Sequence, residues 1–155
     1  MLCNNCGALN ASNVTLCNYC RQSIEEGEQT PALRILVVDD DDGIRGLLER
    51  WLSAAGLRVD GAENGRDALN KYSSEEYDLG IIDVDLPFID GITLSRTFKG
   101  RRPDFPIILC TAYLNVLSGD KISAAEADSY ISKPFDLDQL LLEIQRLTFG
   151  GLEPD

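Results

Sequence analysis

Between residues 34 and 132 the chain repeats one arrangement: a short run of apolar residues, a polar residue at its end, then a longer segment with apolar residues three and four apart. RILVV (34–38), LGIID (79–83) and PIILCT (106–111) are too short for buried helices and show no polar alternation, so each reads as a strand covered on both faces. Parallel neighbours need a crossover of a dozen or more residues, and the intervening segments supply that length. LRVDGA (57–62) and SYIS (129–132) complete five short strands, and the segment from residue 33 onward is expected to be an α/β domain built on a parallel sheet.

The crossover segments carry helix punctuation. GIRGLLERWLSAAG (43–56) places Ile44, Leu47, Leu48, Trp51, Leu52 and Ala55 on one face and stops at Gly56, a favoured residue just past a helix end. Asn64 is positioned to cap a helix containing Ala68, Leu69 and Tyr72, Asp90 and Gly91 open another, and Asp136 caps a last one striped by Leu137, Leu140, Leu141, Ile144 and Leu147. The weakest helical pattern runs from Asn115 to Ala125, where Ser118, Gly119 and Asp120 interrupt it. Trp51 and the leucine stripe are expected in the core, and Cys110 reads as a small buried apolar residue.

Bulk properties remove several classes of function. No apolar stretch approaches the roughly 18 residues needed to span a bilayer, and the N-terminus lacks the basic start and apolar core of a secretory signal, so a cytoplasmic location is expected. With 26 acidic against 14 basic residues the net charge is -12, which repels nucleic-acid phosphates and anionic membranes and speaks against direct binding to either. The sequence contains no histidine, so Ser-His-Asp and Cys-His nucleophiles and His-bearing zinc active sites are excluded.

Four strands end alike: Asp39 and Asp40 follow the first, Asp83 ends the third, Thr111 the fourth, and Lys133 follows the fifth. In an open α/β sheet these positions share the carboxyl edge, where diverging crossovers leave a ligand crevice. Crowded carboxylates repel unless a cation neutralises them, and a few oxygen ligands suit Mg2+, which often shares phosphate oxygens. A carboxylate can itself attack phosphorus, and Asp83, alone on the central strand, is the candidate. The simpler reading makes residues 39–42 a solvated helix start, because acids are favoured there. Taken with Asp83, Thr111 and Lys133 at the same edge, a functional cluster explains all four.

Together, VVDDD (37–41), IIDVDLPFIDG (81–91), TAY (111–113) and YISKPF (130–135) resemble the receiver domain of two-component response regulators. The resemblance runs from about Arg34 to Leu147. It implies a flavodoxin-like (βα)5 sheet of strand order 2-1-3-4-5, phosphorylation of Asp83 by a histidine kinase, and Mg2+ on Asp39, Asp40, Asp83 and the backbone carbonyl of Asp85. It further implies a catalytic role for Lys133, a cis Lys133–Pro134 bond, and a switch made of Thr111 and Tyr130, although Tyr130 reads equally as packed core. Asp41, Asp42 and Asp85 are acids beyond the usual pattern.

Upstream, LCNNCG (2–7) and LCNYCR (16–21) form two C-x2-C pairs separated by ten residues. Four thiolates so spaced can surround Zn2+ tetrahedrally and supply the folding energy that a segment this small lacks. CNNCGALNASNVTLCNYC resembles the small zinc ribbons of bacterial proteins, with Cys3, Cys6, Cys17 and Cys20 as ligands. Two disulfides or a redox dithiol are the rivals; disulfides fit poorly with a cytosolic domain, and a thioredoxin-like C-x-x-C would sit at a strand–helix junction of a larger fold. The expected organisation is a zinc ribbon over 1–24, a polar linker over 25–32 and a receiver over 33–149. Because only eight residues follow Leu147, no separate output domain is expected; the chain, not itself an enzyme, would signal by contact with a downstream protein. The competing expectation is a receiver-like scaffold that binds proteins without being phosphorylated.

Overall fold

The computed structural model describes Cys3 and residues 32–113 and 119–149. The expected ligands Cys6, Cys17 and Cys20, most of the expected linker, and the start of the weak helix near Asn115 fall outside the described residues; Cys3 is buried.

Five strands and five helices alternate among the described residues: β1 (Arg34–Val38), α1 (Asp42–Ala54), β2 (Arg58–Ala62), α2 (Gly65–Ser74), β3 (Leu79–Asp83), α3 (Gly91–Arg101), β4 (Ile107–Thr111), α4 (Gly119–Ala125), β5 (Ser129–Ser132) and α5 (Leu137–Phe149). The strands form one parallel sheet in the order β2-β1-β3-β4-β5. Each boundary has a local cause. Asp41 caps α1 by accepting from the Gly43 and Ile44 amides, and Gly56, at φ 91°, lets the chain turn just beyond its end. Asn64 accepts from Asp67 N at 2.9 Å, Asp90 from Thr93 N at 2.8 Å and Asp136 from Asp138 N at 2.7 Å, so α2, α3 and α5 begin where short polar side chains satisfy otherwise unpaired amides.

Strand periodicity divides the core into two layers. Leu36, Val38, Ile82, Ile107 and Leu109 pack with Ala68, Leu94, Phe98 and Ala125, so α2, α3 and α4 cover one face of the sheet. Ile35, Val37, Leu79, Ile81, Ile108 and Cys110 pack with Leu48, Leu52, Leu140 and Ile144, so α1 and α5 cover the other. Fully buried Phe98 and Phe105 pack edge-on with ring centroids 6.0 Å apart, each contributing about 1.5–3 kcal/mol of apolar burial. Cys110 is buried as expected; Trp51 is only half-buried and stands outside both packed clusters, because α1 directs Leu48 and Leu52 inward.

Candidate functional site

Register brings the polar strand ends together. Val38 pairs with Ala62 on one side and Ile82 on the other, so Asp39 and Asp83, each one residue further on, lie at matching heights on adjacent strands. Asp83 pairs with Cys110, Thr111 pairs with Ser132, and Lys133 N donates to Thr111 O at 2.8 Å, which carries the edge across to β5. The Lys133–Pro134 peptide is cis.

The ammonium of Lys133 lies between two carboxylates, 2.8 Å from Asp39 Oδ2 and 3.1 Å from Asp83 Oδ2. Asp39 and Asp83 are buried, at 3% and 7% exposure, so these charges interact with little solvent screening. Their second oxygens are held by backbone: Asp41 N donates to Asp39 Oδ1 at 2.9 Å and Asp85 N to Asp83 Oδ1 at 3.2 Å. Burial pushes the Asp83 carboxyl above its ordinary value; Lys133 opposes the rise and Asp39 adds to it. For Lys133 burial favours the neutral amine, but the hydrogen bond to Asp39 and the charges of Asp83 and Asp39 outweigh it and hold the ammonium above its usual value.

Asp40 completes the cluster. One carboxylate oxygen from each of Asp39, Asp40 and Asp83 lies within 4.8 Å of the others. Three carboxylates against one lysine leave net negative charge in a largely buried site, and the donors are oxygen only. That set fits a small hard divalent cation such as Mg2+.

The extra acids of the 39–42 run have separate duties. Asp41 is the α1 cap, and Asp42 pairs with Arg45, whose Nη1 also donates to Asp39 O at 2.7 Å. Arg45 therefore ties both ends of the acidic loop to α1, a role missed in the sequence. Its stem crosses β2 at Gly61, where an added Cβ would lie 2.9 Å from Arg45 Cδ. The available signal was a cation in the first turn of a helix, where the helix dipole disfavours one.

Thr111 is buried at 1% exposure and its Oγ1 accepts from Tyr113 N at 3.0 Å. Its strand parity is that of Ile107 and Leu109, on the α2–α3–α4 face, whereas Asp39, Asp83 and Lys133 continue the parity of the α1–α5 face. The hydroxyl thus enters the edge from the other side. Tyr130 pairs with Leu109 in the sheet and is half-buried against the α2–α3–α4 core, and burial raises its phenol pKa. Asp85 is exposed, two residues beyond Asp83.

A flavodoxin-like parallel sheet with a buried carboxylate–lysine cluster at its carboxyl edge defines an α/β domain whose ligand site lies where open sheets of this kind bind theirs. The family model for the response regulator receiver domain matches residues 35–145. The chain belongs to that family. Among curated proteins it is similar to the response regulator MprA of Mycolicibacterium vanbaalenii, 39% identical over 115 residues covering 74% of this chain and 50% of the relative. It is also similar to the regulatory protein AtoC of Escherichia coli, 36% identical over 113 residues covering 73% of this chain and 24% of AtoC. The chain thus spans about half the length of MprA and about a quarter of AtoC. Among solved structures, the response regulator TrrA of Thermotoga maritima in complex with Mg2+-BeF superposes with a TM-score of 0.68 at 41% identity, covering 74% of this chain and 98% of that one. The Vibrio cholerae chemotaxis protein CheY4 gives 0.70 at 29%, covering 76% and 99%.

Proposed function

We propose that this receiver domain is a working phosphoryl switch, with Asp83 as the acceptor. The observation that carries the reading is the Lys133 ammonium bridging Asp39 and Asp83 within a cluster of three carboxylates. A carboxylate oxygen of Asp83 attacks the phosphorus of a histidine kinase's phosphohistidine. The new P–O bond forms as the P–N bond breaks, and the imidazole leaves with the electron pair and takes up a proton. Asp39, Asp40, Asp83 and the backbone carbonyl of Asp85 would hold Mg2+. When bound, the ion supplies charge neutralisation for the phosphoryl oxygens. That TrrA was crystallised with Mg2+-BeF supports this assignment.

Lys133 leaves the Asp83 carboxylate for a phosphoryl oxygen as the group arrives. Thr111 moves toward another and opens space for Tyr130 to turn inward, a two-state change driven by a local change of charge. The chain is a phosphoryl acceptor, not a multiple-turnover enzyme, and its output is a protein that reads the altered surface. A kinase donor places it in the cytoplasm, and the net charge of -12 argues against direct nucleic-acid binding.

We extend the reading to the N-terminus: residues 1–24 form a zinc ribbon in which Cys3, Cys6, Cys17 and Cys20 bind Zn2+, joined to the receiver over 33–149 by the linker 25–32. The paired C-x2-C spacing supports it.

The test is native and denatured intact mass after incubation with phosphoramidate or acetyl phosphate. A Mg2+-dependent phosphate adduct in wild type, absent from Asp83→Asn, and a zinc mass lost on denaturation are the expected results. Folded protein that takes no phosphate from either donor would leave the unphosphorylated scaffold as the better account.

A further inference from the structure

Phe88 is 95% exposed, the highest among the exposed large hydrophobics of the described residues, and its φ is 68°. A side chain with a Cβ is strained in that region, where glycine, asparagine or aspartate is usual, and an aromatic this exposed returns almost no burial to the fold. Both the backbone and the surface therefore disfavour phenylalanine here.

The loop that carries it is held on either side. Leu86 and Ile89 turn inward against the α2–α3–α4 core, and Ile89 lies 2.8 Å from where a Cβ on Gly65 would stand. Ile89 N donates to Pro87 O at 2.9 Å, Gly91 N to Val84 O at 2.9 Å, and Asp90 caps α3. Phe88 is thus presented outward from a braced turn five residues after Asp83. Tyr113, 62% exposed, stands on the β4–α4 connection leaving the same edge.

The setting selects the occupant. Asp40, Asp41, Asp42, Glu63, Asp85 and Asp90 are exposed at the carboxyl ends of β1, β2 and β3. Two copies of this acidic edge repel each other, which disfavours self-association through it. A partner that approaches Asp83 to deliver a phosphoryl group must cover this edge, and complementary charge requires lysine and arginine around its apolar contact.

We propose that Phe88 is the apolar anchor by which the phosphodonor protein docks, seated in an apolar pocket with a basic rim beside the reactive histidine. This rests on Asp83 being the acceptor. The exposed aromatic supplies the central contact and the surrounding acids supply steering and register.

The experiment profiles short-time transfer from the purified, autophosphorylated cytoplasmic portions of the host's histidine kinases to wild type, Phe88→Gly and Phe88→Trp, with phosphoramidate labelling in parallel. The expected result is a preferred kinase whose transfer to Phe88→Gly falls at least tenfold, mainly through KM, with Phe88→Trp near wild type and phosphoramidate labelling of all three equal. Transfer to Phe88→Gly within twofold of wild type, or no kinase transferring while phosphoramidate labels Asp83, overturns the anchor and leaves the acceptor reading standing. Failure of phosphoramidate to label wild type overturns the acceptor reading and the anchor with it.

Discussion

Replacing Gly91 by alanine should damage fold and site together. Gly91 is the first residue of α3, and a Cβ there would stand 2.0 Å from the carbonyl oxygen of Asp83 and 2.8 Å from both Asp83 C and Val84 Cα. An ordinary contact needs about 3.4 Å, so α3 and the end of β3 must separate by more than about 1 Å, with backbone on both sides and no flexible side chain to yield. Overpacking of this kind costs about 1–3 kcal/mol. The Gly91 N to Val84 O hydrogen bond at 2.9 Å is strained as well, and leaving such a group unpaired adds about 1–3 kcal/mol. A loss of about 3 kcal/mol is expected, which lowers the urea midpoint by roughly 1–2 M for a domain of this size. Because the displaced atoms are the backbone of Asp83, a shift of about 1 Å should also slow phosphoramidate labelling of the remaining folded protein roughly 100-fold. Gly100→Ala in the same helix is the control, since its Cβ meets nothing within 4 Å and should stabilise by up to about 1 kcal/mol. If Gly91→Ala unfolds within 1 kcal/mol of wild type and labels at the same rate, the close packing of α3 on β3 does not position Asp83 and the reasoning fails.

Four further outcomes follow from the same geometry. Arg45→Gln should weaken Mg2+ binding on the order of 10-fold by calorimetry, because Asp39 and Asp42 lose their shared tie to α1, while unchanged affinity would make Arg45 a surface residue only. Metal-free Asp83→Asn should be more stable than wild type at neutral pH: the raised carboxyl means the folded protein holds that proton more tightly, so ionised Asp83 costs stability. The gap should close as pH falls below the unfolded carboxylate value, and a gap independent of pH would contradict the assignment. Burial pushes the Cys110 thiol up to about 12, so peptide mapping after iodoacetamide should find it unmodified in native protein and alkylated in denaturant. Glu126 has φ 55°, so Glu126→Gly should remove a left-handed cost of about 1–2 kcal/mol against about 0.5–1 kcal/mol of added chain entropy, and a lower melting temperature would show the strain to be absent.

The sheet was largely legible because its strands announce themselves locally: β3 and β5 occupy the residues read from sequence, and Asn64, Asp90 and Asp136 cap the helices expected of them. Asp39, Asp83, Thr111 and Lys133 were placed at one edge by the rule for parallel sheets, and the register bears out that placement. What periodicity does not carry is lateral position. The passage of Arg45 over Gly61 to Asp39 O depends on α1 crossing β2, and Thr111 entering from the opposite face depends on strand parity across the whole edge. Trp51 shows the same limit: its spacing matched the apolar stripe of α1, but a stripe defines a face and not the depth at which each member sits. The backbone at Phe88 was hidden for another reason, since a phenylalanine gives no local sign of a positive φ.

The most direct test of the phosphoryl-switch account locates the phosphate. An aspartyl phosphate is an acyl phosphate, so borohydride treatment of Mg2+- and phosphoramidate-treated protein should convert the labelled residue to homoserine, which peptide mass spectrometry can place. The account predicts homoserine at position 83, dependent on Mg2+ and strongly reduced in a Lys133→Met variant that retains the fold. Homoserine at residue 39, 40 or 85, or phosphate that survives borohydride on a serine or threonine, would contradict it.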